Sequence, residues 1–301
     1  MNGFLVLDKP KGFTSFDAVA KLRKLSGEKK IGHGGTLDPE VTGVLPVFFG
    51  NATKAIALLP ESDKTYEAVI LLGTVTDTDD DTGRVIGVSD VNVSEEDVKN
   101  VILSFLGEYD QIPPMLSAKW VNGQRLYDLF RKGREIEREP VRVMIRSITV
   151  NSIDLPEVTF TVEASKGTYI RTLCRDIGEK LGVGGTLKRL KRTVHGRFGI
   201  NSAVSLDTLE EAAKNGLFED YVTPTDRLFF DHPELTVSEE GDKYLLNGNT
   251  LVPEDFNAET EMIPGTEYRV YRPNGVFFAL YRVSDDGGAL KPEKIFPEYR
   301  E

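Results

Sequence analysis

Residues 31–45 read Ile31-Gly32-His33-Gly34-Gly35-Thr36-Leu37-Asp38-Pro39-Glu40-Val41-Thr42-Gly43-Val44-Leu45. Three glycines around one histidine permit close backbone approach and φ > 0. Asp38 precedes a proline, which keeps it out of the helical region. Taken alone, Asp38 is a turn or cap residue first and a catalytic acid second. His33 is harder to assign to packing, because a core histidine needs neighbours that a glycine-rich loop does not supply.

The segments around this loop alternate without a regular strand–helix–strand rhythm. Phe4–Asp8 reads as a strand, broken by Lys9-Pro10-Lys11-Gly12. Thr14-Ser15-Phe16-Asp17 has the form of a capping box, and Phe16, Val19, Ala20 and Leu22 follow at helical spacing. Residues 65–72 alternate, with Tyr66, Ala68, Ile70 and Leu72 on one face, and predict a half-buried strand. Residues 94–106 predict a helix capped by Ser94 and stopped by Gly107. A short helix is expected over 122–133, strands over 141–148 and 158–164, and a helix over 168–181. On that last helix Arg171 and Arg175 lie four apart and share a face, while Cys174 falls on the apolar stripe and reads as core. A polar helix over 206–215, a linker over 223–233, a helix near 238–246 and a hairpin over 268–284 turning at Pro273-Asn274-Gly275 complete the chain. The expected class is α+β: a mixed, mainly antiparallel sheet with flanking helices over 1–225, and a small β-rich module over 234–301.

The chain has 301 residues and a net charge of −11, which taken globally argues against a nucleic-acid partner. The distribution says otherwise. Residues 201–301 carry 9 Lys+Arg and 21 Asp+Glu, so the first 200 residues are close to neutral. Within them, 166–197 hold nine basic and two acidic residues, and 119–146 hold eight basic and four acidic. Two such stretches could neutralise several phosphates; on charge alone a solvated helix face is the simpler reading. One cysteine and three histidines exclude an internal disulfide and a zinc site of ordinary ligand spacing. The N-terminus lacks the pattern of a signal peptide and no apolar run reaches eighteen residues, so a cytoplasmic protein off the membrane is expected. Dinucleotide-binding and Walker-type glycine loops, the Gly-x-Ser-x-Gly elbow and His-Glu-x-x-His are absent from the sequence.

Five ordered blocks carry a resemblance. They are Leu7-Asp8-Lys9-Pro10-Lys11-Gly12-x-Thr14-Ser15; Gly32-His33-x-Gly35-Thr36-Leu37-Asp38-Pro39-x-x-Thr42-Gly43-Val44-Leu45; Asp63-Lys64-Thr65-Tyr66 with Gly73-x-x-Thr76-Asp77-Thr78-Asp79; residues 165–173, SKGTYIRTL; and Arg189-Leu190-x-Arg192-Thr193. Spread over about two-thirds of the chain, they resemble the bacterial tRNA pseudouridine-55 synthases of the TruB type. Gly34 departs from the threonine common there, and leaves His33 and Asp38 in register.

The resemblance implies an isomerase that converts uridine to pseudouridine in the tRNA T-loop without metal or organic cofactor. Asp38 matches the essential aspartate, a carboxylate suited to nucleophilic or proton-transfer work. Tyr66 matches the tyrosine that stacks on the target base; from its strand position alone a core aromatic is equally open. Arg171 matches the arginine that pairs with the aspartate. His33 matches a contact to the nucleotides displaced on flipping, and Leu190 an apolar wall near the flipped base; Lys9, Asp80 and Tyr169 are further candidates. The target must leave the stack for its N1 and C5 to be reached. Residues of about 114–142, with Arg131 and Arg134, match a mobile basic thumb that closes on the stem-loop, and 234–301 a PUA-type RNA-binding domain. The expected partner is the tRNA T-arm, with no membrane, no obligatory protein partner and a monomeric enzyme. The alternatives are an RNA-binding or tRNA-folding protein, and a guide-dependent pseudouridine synthase.

Overall fold

The computed structural model describes residues 1–115, 120–121, 124–125, 136–257 and 262–297. β1 (Gly3–Lys9) leads through a tight turn into α1 (Ser15–Ser26). Thr14 and Asp17 form the expected reciprocal cap, and Gly27 ends the helix in the left-handed conformation that its missing Cβ allows. The buried stripe of α1 is Ser15, Ala18, Val19 and Leu22. Phe16 and Ala20, expected on that stripe, face solvent. β2 (Ile31–His33) and β3 (Thr42–Phe49) flank the Asp38 loop. β3 is buried almost throughout and contains Pro46, so it shows neither alternation nor a clean β composition in sequence.

β4 (Lys64–Leu72) follows, then the hairpin of β5 (Thr74–Thr76) and β6 (Val85–Val88), α2 (Glu95–Leu103) and β7 (Gly107–Gln111). Residues 124–125 were expected in a helix; instead β8 (Trp120–Val121) pairs with β9 (Gln124–Arg125). The rest of that expected helix, with Arg131 and Arg134, lies outside the described residues. β10 (Val141–Asp154) and β11 (Glu157–Ala164) form a long hairpin, followed by α3 (Ile170–Lys180) and β12 (Gly185–His195). No strand signal marks β12 in the sequence. Its pairing with β4 is broken by irregularities at Leu187/Arg189 and Arg192/Val194, which shift the alternation twice within eleven residues. The basic stretch expected on a solvated helix face therefore runs partly along a central strand.

β13 (Phe198–Gly199), β14 (Val204–Ser205), α4 (Leu206–Lys214) and β15 (Thr223–Pro224) close the main sheet. Its order is β14-β1-β3-β12-β4-β11-β10-β7, with β2 on β3, β13 on β12 and β15 on β1. Only β1/β14 and β3/β12 run parallel among these pairs. The fold is α+β with a mainly antiparallel sheet. α2 and α3 cover one part of the sheet, over a core of Ile70, Phe160, Leu173 and Ile177. α1 and α4 cover another, over Leu5, Leu22, Leu45 and Leu209. Each such side chain stabilises by roughly 1.5–3 kcal/mol on burial. Leu190 packs against both cores, at the point where β12 meets β3.

The remaining chain forms a four-stranded sheet, β16 (Glu234–Thr236), β17 (Glu267–Tyr271), β18 (Phe277–Val283) and β19 (Leu290–Ile295), with α5 (Glu239–Leu246). The hairpin turns where Asn274-Gly275 demands it, with Gly275 at φ 79°. The expected linker is not slack: Leu228 and Phe229 are buried with Phe48, Phe198, Leu280 and Phe296 in a cluster joining the two sheets.

Candidate active site

The backbone on both sides of Asp38 is pinned. Leu37 N–H donates to Ser15 Oγ at 2.9 Å, and Ser15 Oγ donates back to Leu37 C=O at 3.2 Å. Pro39 C=O accepts from Gly12 N–H at 2.9 Å and from Lys9 Nζ at 3.2 Å. Val41 N–H closes a turn on Asp38 C=O at 3.1 Å. From below, the buried Arg192 donates to Val44 C=O at 2.8 Å and to Gly35 C=O at 3.0 Å. The carboxylate itself stays 54% exposed. A fixed backbone with an open carboxylate is what a preorganised reactive group needs.

α3 supplies the counter-charge. Its apolar residues Ile170, Leu173, Cys174 and Ile177 face the core, which turns Arg171 and Arg175 toward the loop. Arg171 Nη2 lies 3.1 Å from Asp38 Oδ2, and Nη1 lies 3.2 Å from Asp80 Oδ2. Asp80 is itself fixed: its Oδ1 accepts from Thr78 Oγ1 at 2.8 Å, Thr82 N–H at 3.0 Å and Thr82 Oγ1 at 2.5 Å. Arg175 repeats the arrangement one turn on, 3.2 Å from Asp79 and 2.8 Å from Asp176. Two arginines and their carboxylates thus form one layer, nearly buried at Arg171 and open at Asp38. Cys174 is buried, and burial pushes its thiol well above the ordinary range; it is packing, not chemistry.

A cleft of ≈ 860 Å³ opens above this layer, lined among others by Asp38, Tyr66, Asp80, Tyr169, Arg171 and Leu190. Tyr66 stands opposite Arg192 in the β4/β12 register, and its hydroxyl meets that guanidinium. Burial raises the phenol pKa and outweighs Arg192, so the group is neutral at neutral pH. Among the described residues no group of three His, Cys, Asp or Glu side chains is placed to hold a metal ion, and no helix is long and apolar enough to cross a membrane.

Residues 23–170 match the family model described as the TruB family pseudouridylate synthase N-terminal domain, and 171–229 match the tRNA pseudouridylate synthase B C-terminal domain. The chain belongs to the TruB family of pseudouridylate synthases. It is 44% identical over 280 residues to tRNA pseudouridine synthase B of Clostridium kluyveri, covering 93% of this chain and 95% of that one. It is 41% identical over 310 residues to the Bacillus subtilis protein of the same name, covering 100% and 99%. Among solved structures, the one titled as a Cbf5-Nop10-Gar1 complex aligns with TM-score 0.68 at 27% identity, over 98% of this chain and 85% of that one.

In this TruB family chain the structure brings Asp38, Asp80, Tyr66, Tyr169, Arg171 and Leu190 to one cleft. Two expectations change. Lys9 does not line the cleft: it is fully buried, and its ammonium donates to the carbonyls of Phe13 at 2.6 Å, Pro10 at 2.9 Å and Pro39 at 3.2 Å. Burial lowers its pKa to about 8, and its task is to hold the loop. His33 lies on β2 opposite Val47, is half-buried and is not among the residues lining the cleft. Its Nδ1 accepts from Gly35 N–H at 3.4 Å, and burial and Arg192 lower its pKa.

Two residues escaped the sequence reading. Arg192, 1% exposed, clamps the loop and Tyr66; it lay inside a quoted block without a role of its own. Gln111, also 1% exposed, is the last residue of β7 and fastens Tyr169 at the start of α3. Nothing in the local sequence marks it.

Proposed function

We propose that this enzyme isomerises uridine 55 of the tRNA T-loop to pseudouridine. Membership of the family and the tRNA pseudouridine synthase B relatives at 41–45% identity over nearly the whole chain support pseudouridine formation in tRNA. The observation that carries the chemistry is the Arg171 bridge between Asp38 and Asp80 at the floor of an open cleft. The bond from ribose C1′ to N1 breaks, the uracil turns, C1′ bonds to C5, and the C5 proton leaves as N1 gains one. No atom is gained or lost overall.

Each residue has a role in that sequence. Asp38, oriented by Arg171, acts on the nucleoside as nucleophile toward sugar or ring, or as base toward a ribose proton; all three use a carboxylate oxygen. Tyr66 offers its ring to the everted base. Its hydroxyl, neutral at rest, takes the C5 proton only as it passes its own proton on to the freed ring nitrogen or to solvent, and the neighbouring Arg192 guanidinium favours the transient phenolate. Leu190 and Tyr169 wall the base. Arg131 and Arg134, in the basic insertion, grip the RNA stem by its phosphates. The C-terminal sheet is read as a PUA-like RNA-binding domain, and the protein as a cytoplasmic monomer that acts alone on the T-arm.

The test is chemical mapping of pseudouridine in tRNA after incubation with the purified chain. Product at position 55, lost in Asp38→Ala with tRNA affinity retained, supports the reading. Undiminished product in Asp38→Ala removes the aspartate from the chemistry, and tRNA binding by the native chain without product leaves an RNA-binding or tRNA-folding protein. Inability to modify an isolated T-arm stem-loop removes stand-alone action and favours a guide-dependent enzyme.

A further inference from the structure

Asp79 sits at φ 61°, the only positive value outside glycine among the described residues. L-residues other than Asn and Asp rarely adopt that left-handed conformation. Its effect here is on aim. In extended backbone, consecutive side chains point to opposite faces. In this turn both reach α3: Asp79 Oδ2 lies 3.2 Å from Arg175 Nη1, and Asp80 Oδ2 lies 3.2 Å from Arg171 Nη1. Two successive carboxylates thus meet two arginines one helical turn apart. The main chain of the turn is stitched to β12 on either side of Asp80. Leu187 N–H donates to Asp79 C=O at 3.0 Å, and Asp81 N–H donates to Leu187 C=O at 2.9 Å.

The outer pair is withdrawn from the chemistry. Neither Asp79 nor Arg175 lines the cleft, so neither is placed to touch an everted base. Burial raises the Asp79 carboxyl pKa against the pull of Arg175 and Arg171. A pair this enclosed adds little net stability over an apolar contact, because desolvation offsets the attraction. What it does fix is the rotation of α3. Gln111 holds the start of that helix at Tyr169. A helix held at one point can turn about its axis, and Arg171 turns with it. A second hold, four residues beyond Arg171 on the same face, stops that rotation. Arg175 is itself set by its own helix, donating to Asp176 at 2.8 Å.

We propose that Asp79 and Arg175 are positioning residues for the reaction: the left-handed turn and its ion pair hold α3 in the one rotation at which Arg171 spans Asp80 and Asp38. The proposal rests on the reading of the chain as a pseudouridine-forming enzyme. It extends the reacting layer by one helical turn, to a pair that never meets the substrate.

The experiment measures single-turnover pseudouridine formation at saturating tRNA, beside the tRNA Kd and a urea melt of each variant. Asp79→Asn keeps the tolerance for positive φ and loses the charge. Its rate should fall about tenfold with Kd changed less than twofold, since a misplaced guanidinium slows the step without loosening the RNA. Arg175→Met fills the same space without charge and should behave alike, whereas Arg175→Lys should stay within about threefold of the native rate. The cycle with Arg171→Lys decides how the pair acts. In that background the two-ended span is already lost, so Asp79→Asn should slow the reaction less than twofold further. A native rate in both Asp79→Asn and Arg175→Met, or the full tenfold loss added on Arg171→Lys, overturns the positioning role. Failure of the functional reading is a different result: no pseudouridine from the native chain.

Discussion

Gln111 grips Tyr169 by both main-chain groups: its Oε1 accepts the Tyr169 N–H at 2.8 Å, and its Nε2 donates to the Tyr169 C=O at 3.1 Å. A third bond joins Nε2 to the Tyr109 hydroxyl. α3 has no side-chain cap of its own, so this grip fixes where the helix starts and where Arg171, two residues on, points. Gln111→Leu should cost about 1–3 kcal/mol of stability through the orphaned Tyr169 N–H, since the Tyr169 C=O keeps its bond from Leu173 N–H. It should slow single-turnover pseudouridine formation about tenfold or more with tRNA affinity changed less than threefold. Urea melts, rapid-quench assays and filter binding check this; an unchanged rate would detach Gln111 from the site.

Tyr66→Phe removes only the hydroxyl that meets Arg192. Binding of tRNA should stay within about twofold, because the ring remains, while turnover should fall by about 100-fold or more. Near-normal turnover in a quench assay would leave Tyr66 a platform alone.

Lys9 gives a pH signature. Its folded pKa of about 8 lies below the ordinary lysine value of 10.5. Between those values the unfolded chain holds the extra proton, so stability rises with pH. Below about pH 8 both states are charged and the full cost of burying the ammonium is present. Relative to Lys9→Met, the native chain should gain about 2–3 kcal/mol between pH 7.5 and pH 10.5. Paired urea titrations at the two pH values measure the difference; a constant gap would contradict the depressed pKa.

Gly43 sits at φ 100°, and a Cβ there would stand 2.1 Å from Arg192 C=O. Gly43→Ala should destabilise by about 2–4 kcal/mol, from backbone strain and the forced parting of β3 and β12. Activity should fall with it. A thermal melt unchanged within about 2 °C would show that the two strands part cheaply.

Arg131 and Arg134 bear on phosphate contact. The double Ala variant should weaken tRNA binding more at 50 mM than at 200 mM salt, the ratio to native shrinking about tenfold across that range. A ratio independent of salt would remove both from the electrostatic grip.

Much of the arrangement was legible because its parts are local. The reciprocal cap of Thr14 and Asp17, the i, i+4 pair of Arg171 and Arg175, the alternation of β4 and the turn at Asn274-Gly275 each depend on residues within a few positions. Asp38, Tyr66, Tyr169, Arg171 and Leu190, which meet across the cleft, lie in family-like sequence blocks. What stayed hidden depends on register or on long-range partners. β12 carries two pairing irregularities that erase its period, β3 is buried on both faces, and Gln111 and Lys9 act on main-chain groups 58 and 30 positions away. A lysine on the page is a surface charge until three carbonyls close around it.

The short parallel contact that seats Gly43 beside Arg192 also sets a clock on synthesis. The two halves of the clamp, Val44 and Arg192, are 148 residues apart. At roughly 5–20 residues per second, about 7–30 s of translation separate them. During that interval the aspartate loop emerges from the ribosome without its floor, and a nascent chain cannot act on RNA. The acidic C-terminal portion follows only afterwards, so the clamp on the loop can close while the polypeptide is still growing.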